Sequence, residues 1–102
     1  SMQFPTPDIL AGNGARRLAV EVKITKDKKK YFSFGEIKQL QNFSSYFGAE
    51  PWLAIKFPDV PWCFVSPEDL VVSGKNLVFN SDEIVKKGIS FEEMVNFSYR
   101  VV

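Results

Sequence analysis

From residue 18 to residue 25 two sets of side chains alternate: apolar Leu18, Val20, Val22 and Ile24 on one side, Ala19 with the polar Glu21, Lys23 and Thr25 on the other. A repeat of two is the signature of a β-strand with one buried face. Glu21 and Lys23 therefore point the same way, off the apolar face. Upstream, Gly12-Asn13-Gly14 is a turn with two positions that tolerate positive φ, and Asp8-Ile9-Leu10-Ala11 reads as a short strand before it. The two strands make a hairpin. Phe4-Pro5-Thr6-Pro7 must be extended, because each proline fixes its own φ and pushes its predecessor out of the helical region. Ser1-Met2 reads as an expression scar, which leaves residues 3–102 as a single domain.

After the hairpin, Lys26 to Lys30 form a charged loop. Ser33-Phe34-Gly35-Glu36 is a capping box, and the helix it opens carries Ile37, Leu40, Phe43, Tyr46 and Phe47 at helical spacing before stopping at Gly48. Trp52 to Phe57 reads as a buried strand, Pro58-Asp59-Val60-Pro61 as a turn, and Trp62 to Val65 as a strand paired back onto it. Ser66-Pro67-Glu68-Asp69 opens a short helical turn with proline at its first position. Leu77-Val78-Phe79 is a last short strand, and Ser90-Phe91-Glu92-Glu93 caps a final helix carrying Met94, Val95 and Phe97. The expected architecture is α/β: a mixed sheet of about five strands flanked by helices, its strand order left open.

The 102 residues contain no histidine. That removes serine-histidine and cysteine-histidine nucleophilic catalysis, histidine general bases and histidine-ligated zinc together. Chemistry has to come from carboxylates, lysines and a borrowed metal. The single cysteine, Cys63, lies between Trp62 and Phe64 and reads as a small core hydrophobe. No segment has the roughly 20 consecutive apolar residues of a membrane span, and no leader is visible, so the expectation is an intracellular, cytoplasmic, nucleoid-associated protein. Net charge is only +1, but the first thirty residues carry Arg16, Arg17, Lys23, Lys26, Lys28, Lys29 and Lys30 against Asp8, Glu21 and Asp27. Such asymmetry fits either polyanion binding or a solvated, lysine-rich turn.

Pro7-Asp8, a turn, and then Glu21-Val22-Lys23 form a pattern suited to phosphodiester hydrolysis. A divalent cation polarises the phosphate and lowers the pKa of an attacking water, and a hard ion such as Mg²⁺ prefers oxygen ligands. Asp8 and Glu21 on neighbouring hairpin strands can converge on one ion, the Val22 carbonyl can add a ligand, and the Lys23 ammonium can sit beside the water or the developing phosphorane charge. A Glu-x-Lys triplet arises by chance in roughly one chain in three of this length, and an ordinary half-exposed strand explains the spacing equally well.

The pattern nonetheless resembles the PD-(D/E)XK nucleases. The segments Phe4 to Asn13, Leu18 to Lys23, Tyr31 through Gln39 to Glu50, and Trp52 to Phe57 followed by Trp62 resemble archaeal Holliday junction resolvases, in order, from residue 4 to about residue 79. The resemblance implies a restriction-endonuclease-like core, with Asp8 and Glu21 as metal-site carboxylates and Lys23 as the catalytic lysine. It also implies Mg²⁺, with Mn²⁺ as a substitute, and a homodimer that nicks two strands of a four-way DNA junction in recombination and repair. Members of that family carry a further catalytic glutamate on a helix, then a strand, before the Pro-Asp position. The resemblance therefore implies an N-terminally truncated domain lacking that group.

Phosphate contacts are expected from Arg16 and Arg17 at the hairpin tip, from Lys26, Lys28, Lys29 and Lys30, and from Lys56. Lys56 reads equally as a lysine snorkelling from an edge strand. Gln39 either faces the site from the helix or faces solvent. The ten phenylalanines exceed what a small core needs, so a two-fold interface is expected to draw on Phe34, Phe43, Phe47, Trp52, Phe57 and Trp62. Two other readings fit the same residues: another repair or restriction nuclease of the superfamily, and an inactive DNA-binding or scaffolding module.

Overall fold

The computed structural model describes residues 6–100, the side chains of residues 97–100 excepted. The expected extension at Phe4-Pro5, the scar at Ser1-Met2 and the Phe97 side chain lie outside the described residues. In chain order the elements are β1 (Ile9–Gly12), β2 (Arg17–Ile24), β3 (Lys29–Ser33), α1 (Phe34–Phe47), β4 (Glu50–Lys56), β5 (Cys63–Val65), β6 (Val71–Ser73), β7 (Asn76–Asn80), α2 (Ile84–Lys87), β8 (Ile89–Ser90) and α3 (Phe91–Arg100).

A five-stranded mixed sheet has the order β1-β2-β4-β5-β8, and a second, antiparallel sheet has the order β3-β7-β6. β1 and β2 form the expected hairpin, with Ile9 opposite Val20 and Gly12 opposite Arg17. Its turn uses no positive φ; instead the Asn13 Oδ1 accepts from the amides of Ala15 at 2.7 Å and Arg16 at 2.9 Å, so side-chain hydrogen bonds replace glycine freedom. β2 runs parallel to β4, and that pairing needs a crossover. α1 supplies it. Its capping box forms as expected, with Glu36 N bonded to Ser33 Oγ and Ser33 N to Glu36 Oε1, and Gly48 closes it at φ 76°.

The main sheet is covered on both sides. On one face Ala19, Leu53, Ile55, Cys63 and Val65 pack with Ile37 and Leu40 of α1 and with Phe32 and Phe79 of the small sheet. On the other, Leu18, Val20 and Ala54 pack with Met94 of α3. The polar face of the β2 alternation is therefore the face of the larger core, and Glu21 and Lys23 stand at its margin, beside Leu53 and Ile55 in register. The Cys63 thiol is a core group, as expected, and burial pushes its pKa up to about 11.

Several details differ from the sequence reading. Lys29 and Lys30 belong to β3 rather than to a loop, and the Lys30 Nζ sits over the Phe32 ring, 5.7 Å from its centroid. Leu77 to Phe79 sits in the small sheet, while the two-residue β8 takes the fifth place in the large one. β4 is central, so Lys56 is not on an edge strand. Tyr46 is 96% exposed and Ser44 only 1%, because the buried stripe of α1 runs Ile37, Leu40, Ser44. Phe57 is 1% exposed, enclosed by the chain's own core 6.2 Å from Phe79, and cannot contribute to an interface between copies.

Candidate active site

Asp8 immediately precedes β1, and hairpin pairing brings it alongside the second half of β2. Its Oδ2 accepts from the Val22 amide at 2.8 Å. That bond fixes the carboxylate against β2 without consuming its other oxygen. The N–H and C=O of a strand residue leave by the same edge, so the Val22 carbonyl lies on the Asp8 side as well. Glu21, one residue back, projects from the larger-core face and is joined by Lys23, whose Nζ is 3.9 Å from the Glu21 Oε2.

The electrostatics of this corner are those of an under-compensated anionic site. Partial burial against the core face, reinforced by the Asp8 charge, holds the Glu21 carboxyl above its ordinary value; Glu36 adds to the effect, while Lys23 and the Asp8 amide oppose it. Any cation placed between Asp8 and Glu21 relieves both the repulsion and the desolvation. Among the described residues no three histidine, cysteine or acidic groups gather into a closed metal cage. Two carboxylates and a strand carbonyl suit a hard ion that keeps most of its shell as water or substrate oxygens, and do not suit a soft or fully caged one.

Thr6, Pro7, Glu21, Glu36, Gln39 and Leu40 line a cleft of about 60 Å³ beside this corner. Gln39 lines that cleft from α1 and is at the same time exposed to solvent. Glu36, read from the sequence only as a helix cap, is here too, with Oε2 3.6 Å from Lys23 Nζ. The available signal was spacing: Glu36 is one helical turn before Gln39, so whatever Gln39 faces, Glu36 faces as well.

The basic residues separate into two groups. Lys26, Lys28 and Lys29 are exposed and follow the end of β2 that carries the site. Arg16 and Arg17 are at the opposite end, roughly 20 Å away along the strand. Arg17 is exposed, but the Arg16 side chain is only 10% exposed and makes a two-pronged pair with Glu50, Nε to Oε2 at 2.7 Å and Nη2 to Oε1. Trp52 Nε1 also donates to Glu50, at 3.2 Å. Arg16 is committed to holding the hairpin tip against β4, which takes it out of the expected set of phosphate contacts. Lys56 Nζ donates to the Phe57 carbonyl at 2.9 Å.

Comparison with known proteins follows the same lines. A family model described as archaeal Holliday junction resolvase (hjc) matches residues 1–101. The chain is 45% identical over 82 residues to a crossover junction endodeoxyribonuclease Hjc of Archaeoglobus fulgidus, covering 80% of this chain and 59% of that protein. It is 37% identical over 89 residues to a protein of the same name from Methanocaldococcus jannaschii, covering 86% and 65%. It therefore spans less than two thirds of either relative. The solved structure of Archaeoglobus fulgidus Hjc, described as a Holliday junction resolvase from an archaeal hyperthermophile, superimposes with a TM-score of 0.83 at 36% identity, covering 94% of this chain and 78% of that one.

Proposed function

Since the chain belongs to the archaeal Holliday junction resolvase family, we propose that it forms the catalytic part of a metal-dependent endonuclease that cleaves four-way DNA junctions in recombination and repair. The observation that carries this reading is the convergence of Asp8, Glu21 and Lys23 at one end of the β1–β2 hairpin, beside an exposed run of lysines.

Asp8 and Glu21 would hold the cation, with the Val22 carbonyl available as a third ligand; Mg²⁺ fits the donor set best and Mn²⁺ substitutes. When bound, the ion polarises the phosphate and lowers the pKa of a coordinated water. The Val22 amide keeps Asp8 from rotating out of the site. Lys23 places a positive charge where the phosphorane accumulates negative charge. Lys26, Lys28 and Lys29 position DNA through phosphates without reading sequence. Action on two strands calls for a second copy related by two-fold symmetry. Phe34, Phe47 and Trp62 are exposed members of the aromatic set available for that interface. The protein then acts where the chromosome is, inside the cell.

The test is Glu21→Ala in the full gene product, with a synthetic four-way junction. Cleavage in Mg²⁺ should fall to background while junction affinity in Ca²⁺ changes little, because affinity comes mainly from lysine and arginine contacts with phosphates. Equal loss of both would remove the catalytic assignment. Sedimentation at micromolar concentration checks the pairing of copies.

A further inference from the structure

We propose that Glu36 is a positioning residue that holds the Lys23 ammonium over the site once Glu21 is engaged by a cation. The proposal rests on the reading of Lys23 given above.

Three observations carry it. The two oxygens of Glu36 are divided: Oε1 accepts from the Ser33 amide at 2.8 Å, closing the cap of α1, and Oε2 faces Lys23 Nζ at 3.6 Å. The cap therefore fixes the rotamer that presents the second oxygen to the lysine. Lys23 lies between two carboxylates, the other being Glu21 at 3.9 Å. A cation bound to Glu21 withdraws that partner, and Glu36 is then the carboxylate left to oppose the pull of solvent on a long, flexible side chain. Finally, Glu36 and Glu21 line the same cleft, so the hold is exerted from across the site and from a different element.

The negative charge is not required by the cap. A glutamine at this position closes a capping box equally well. Glu36→Gln therefore removes the charge and keeps the cap, which separates positioning from folding.

The experiment uses the full gene product and has two readouts. In single-turnover cleavage of a four-way junction at saturating enzyme and Mg²⁺, Glu36→Gln should lower the rate about tenfold, less than the roughly hundredfold that a 1 Å misplacement can cost, because Lys23 is loosened and not removed. Melting temperature, junction affinity in Ca²⁺ and calorimetric Mg²⁺ affinity should remain at wild-type values. Independently of cleavage, the NMR order parameter of the Lys23 side chain should fall in the variant. An unchanged rate in an active enzyme, or an unchanged order parameter, overturns the proposal. A weakened Mg²⁺ affinity also overturns it, by making Glu36 a metal ligand instead. If the wild-type protein does not cleave the junction, the proposed function fails, and the order parameter alone decides the role of Glu36.

Discussion

Arg16 carries the same charge as Lys28 in a different physical setting. Its guanidinium is nearly enclosed and forks onto Glu50, so the pair fastens the hairpin tip to β4. The Arg16 hydrogen bonds hold the Glu50 carboxyl below its ordinary value, with Trp52 contributing and burial opposing. Glu50→Gln should cost roughly 1–2 kcal/mol, between an exposed pair and the loss of a fully buried one, because the Glu50 side chain is 42% exposed and solvent screens the pair. The pH dependence has a definite sign. A carboxyl depressed in the folded chain binds its proton more weakly there than in the unfolded chain, so its stabilisation is complete above the ordinary value of 4.5 and is lost as pH falls through the depressed one. Thermal unfolding along the acid limb should therefore show a shallower fall for the variant than for the wild type. A parallel pair of curves would mean that Glu50 titrates normally. The sequence contained this pair only as two residues 34 positions apart, and nothing local marks them as partners. By contrast, hairpin spacing put Asp8 beside β2 and Glu21 and Lys23 on one face, while the family resemblance, and not spacing, singled the three out as a candidate site.

At the level of elements, legibility followed length and end signals. The hairpin, α1 with its cap and stop, and the β4–β5 pair each carry a periodic run or a turn signature. β6, β8 and α2 have two to four residues apiece and offer no period to read. β3 was concealed by its lysines, although Lys30 and Phe32 alternate with Lys29, Tyr31 and Ser33 as a strand requires. In α1 a serine at the buried position 44, its hydroxyl donating to the Leu40 carbonyl at 2.7 Å, displaced the aromatic stripe that hydrophobicity suggested. The end of that helix gives a second prediction. Gly48 has φ 76°, and an added Cβ there would meet nothing within 4 Å, so Gly48→Ala tests backbone conformation without a clash. The variant should lose about 1 kcal/mol in chemical denaturation. Under the proposed function its junction cleavage should be unchanged, since the C-terminus of α1 is roughly 18 Å from Glu36 at 1.5 Å per residue. A loss of cleavage at full stability would mean that the two ends of α1 are coupled.

At the scale of the whole molecule, the candidate site and the exposed lysines that follow it lie toward one end of β2, while the other end spends its buried arginine on an internal pair. This polarity predicts where the DNA backbone runs. Under the proposed function, phosphates neutralised by Lys28 and Lys29 would release condensed counterions, each such contact contributing about 0.9 to the slope of log affinity against log salt on duplex arms. The double variant Lys28→Ala, Lys29→Ala, titrated with a four-way junction in Ca²⁺ over a range of salt, should bind more weakly, with a slope shallower by about 2. Arg17→Ala, which removes an exposed charge at the far end of the same strand, should leave the slope where it was. Taken per charge removed, the comparison isolates position, because both changes remove exposed cations and neither touches the core. A slope shallower by about 0.9 for Arg17→Ala, as much per charge as for the lysines, would require the junction arm to cross the full length of the hairpin, bringing its tip into the interface alongside the carboxylates.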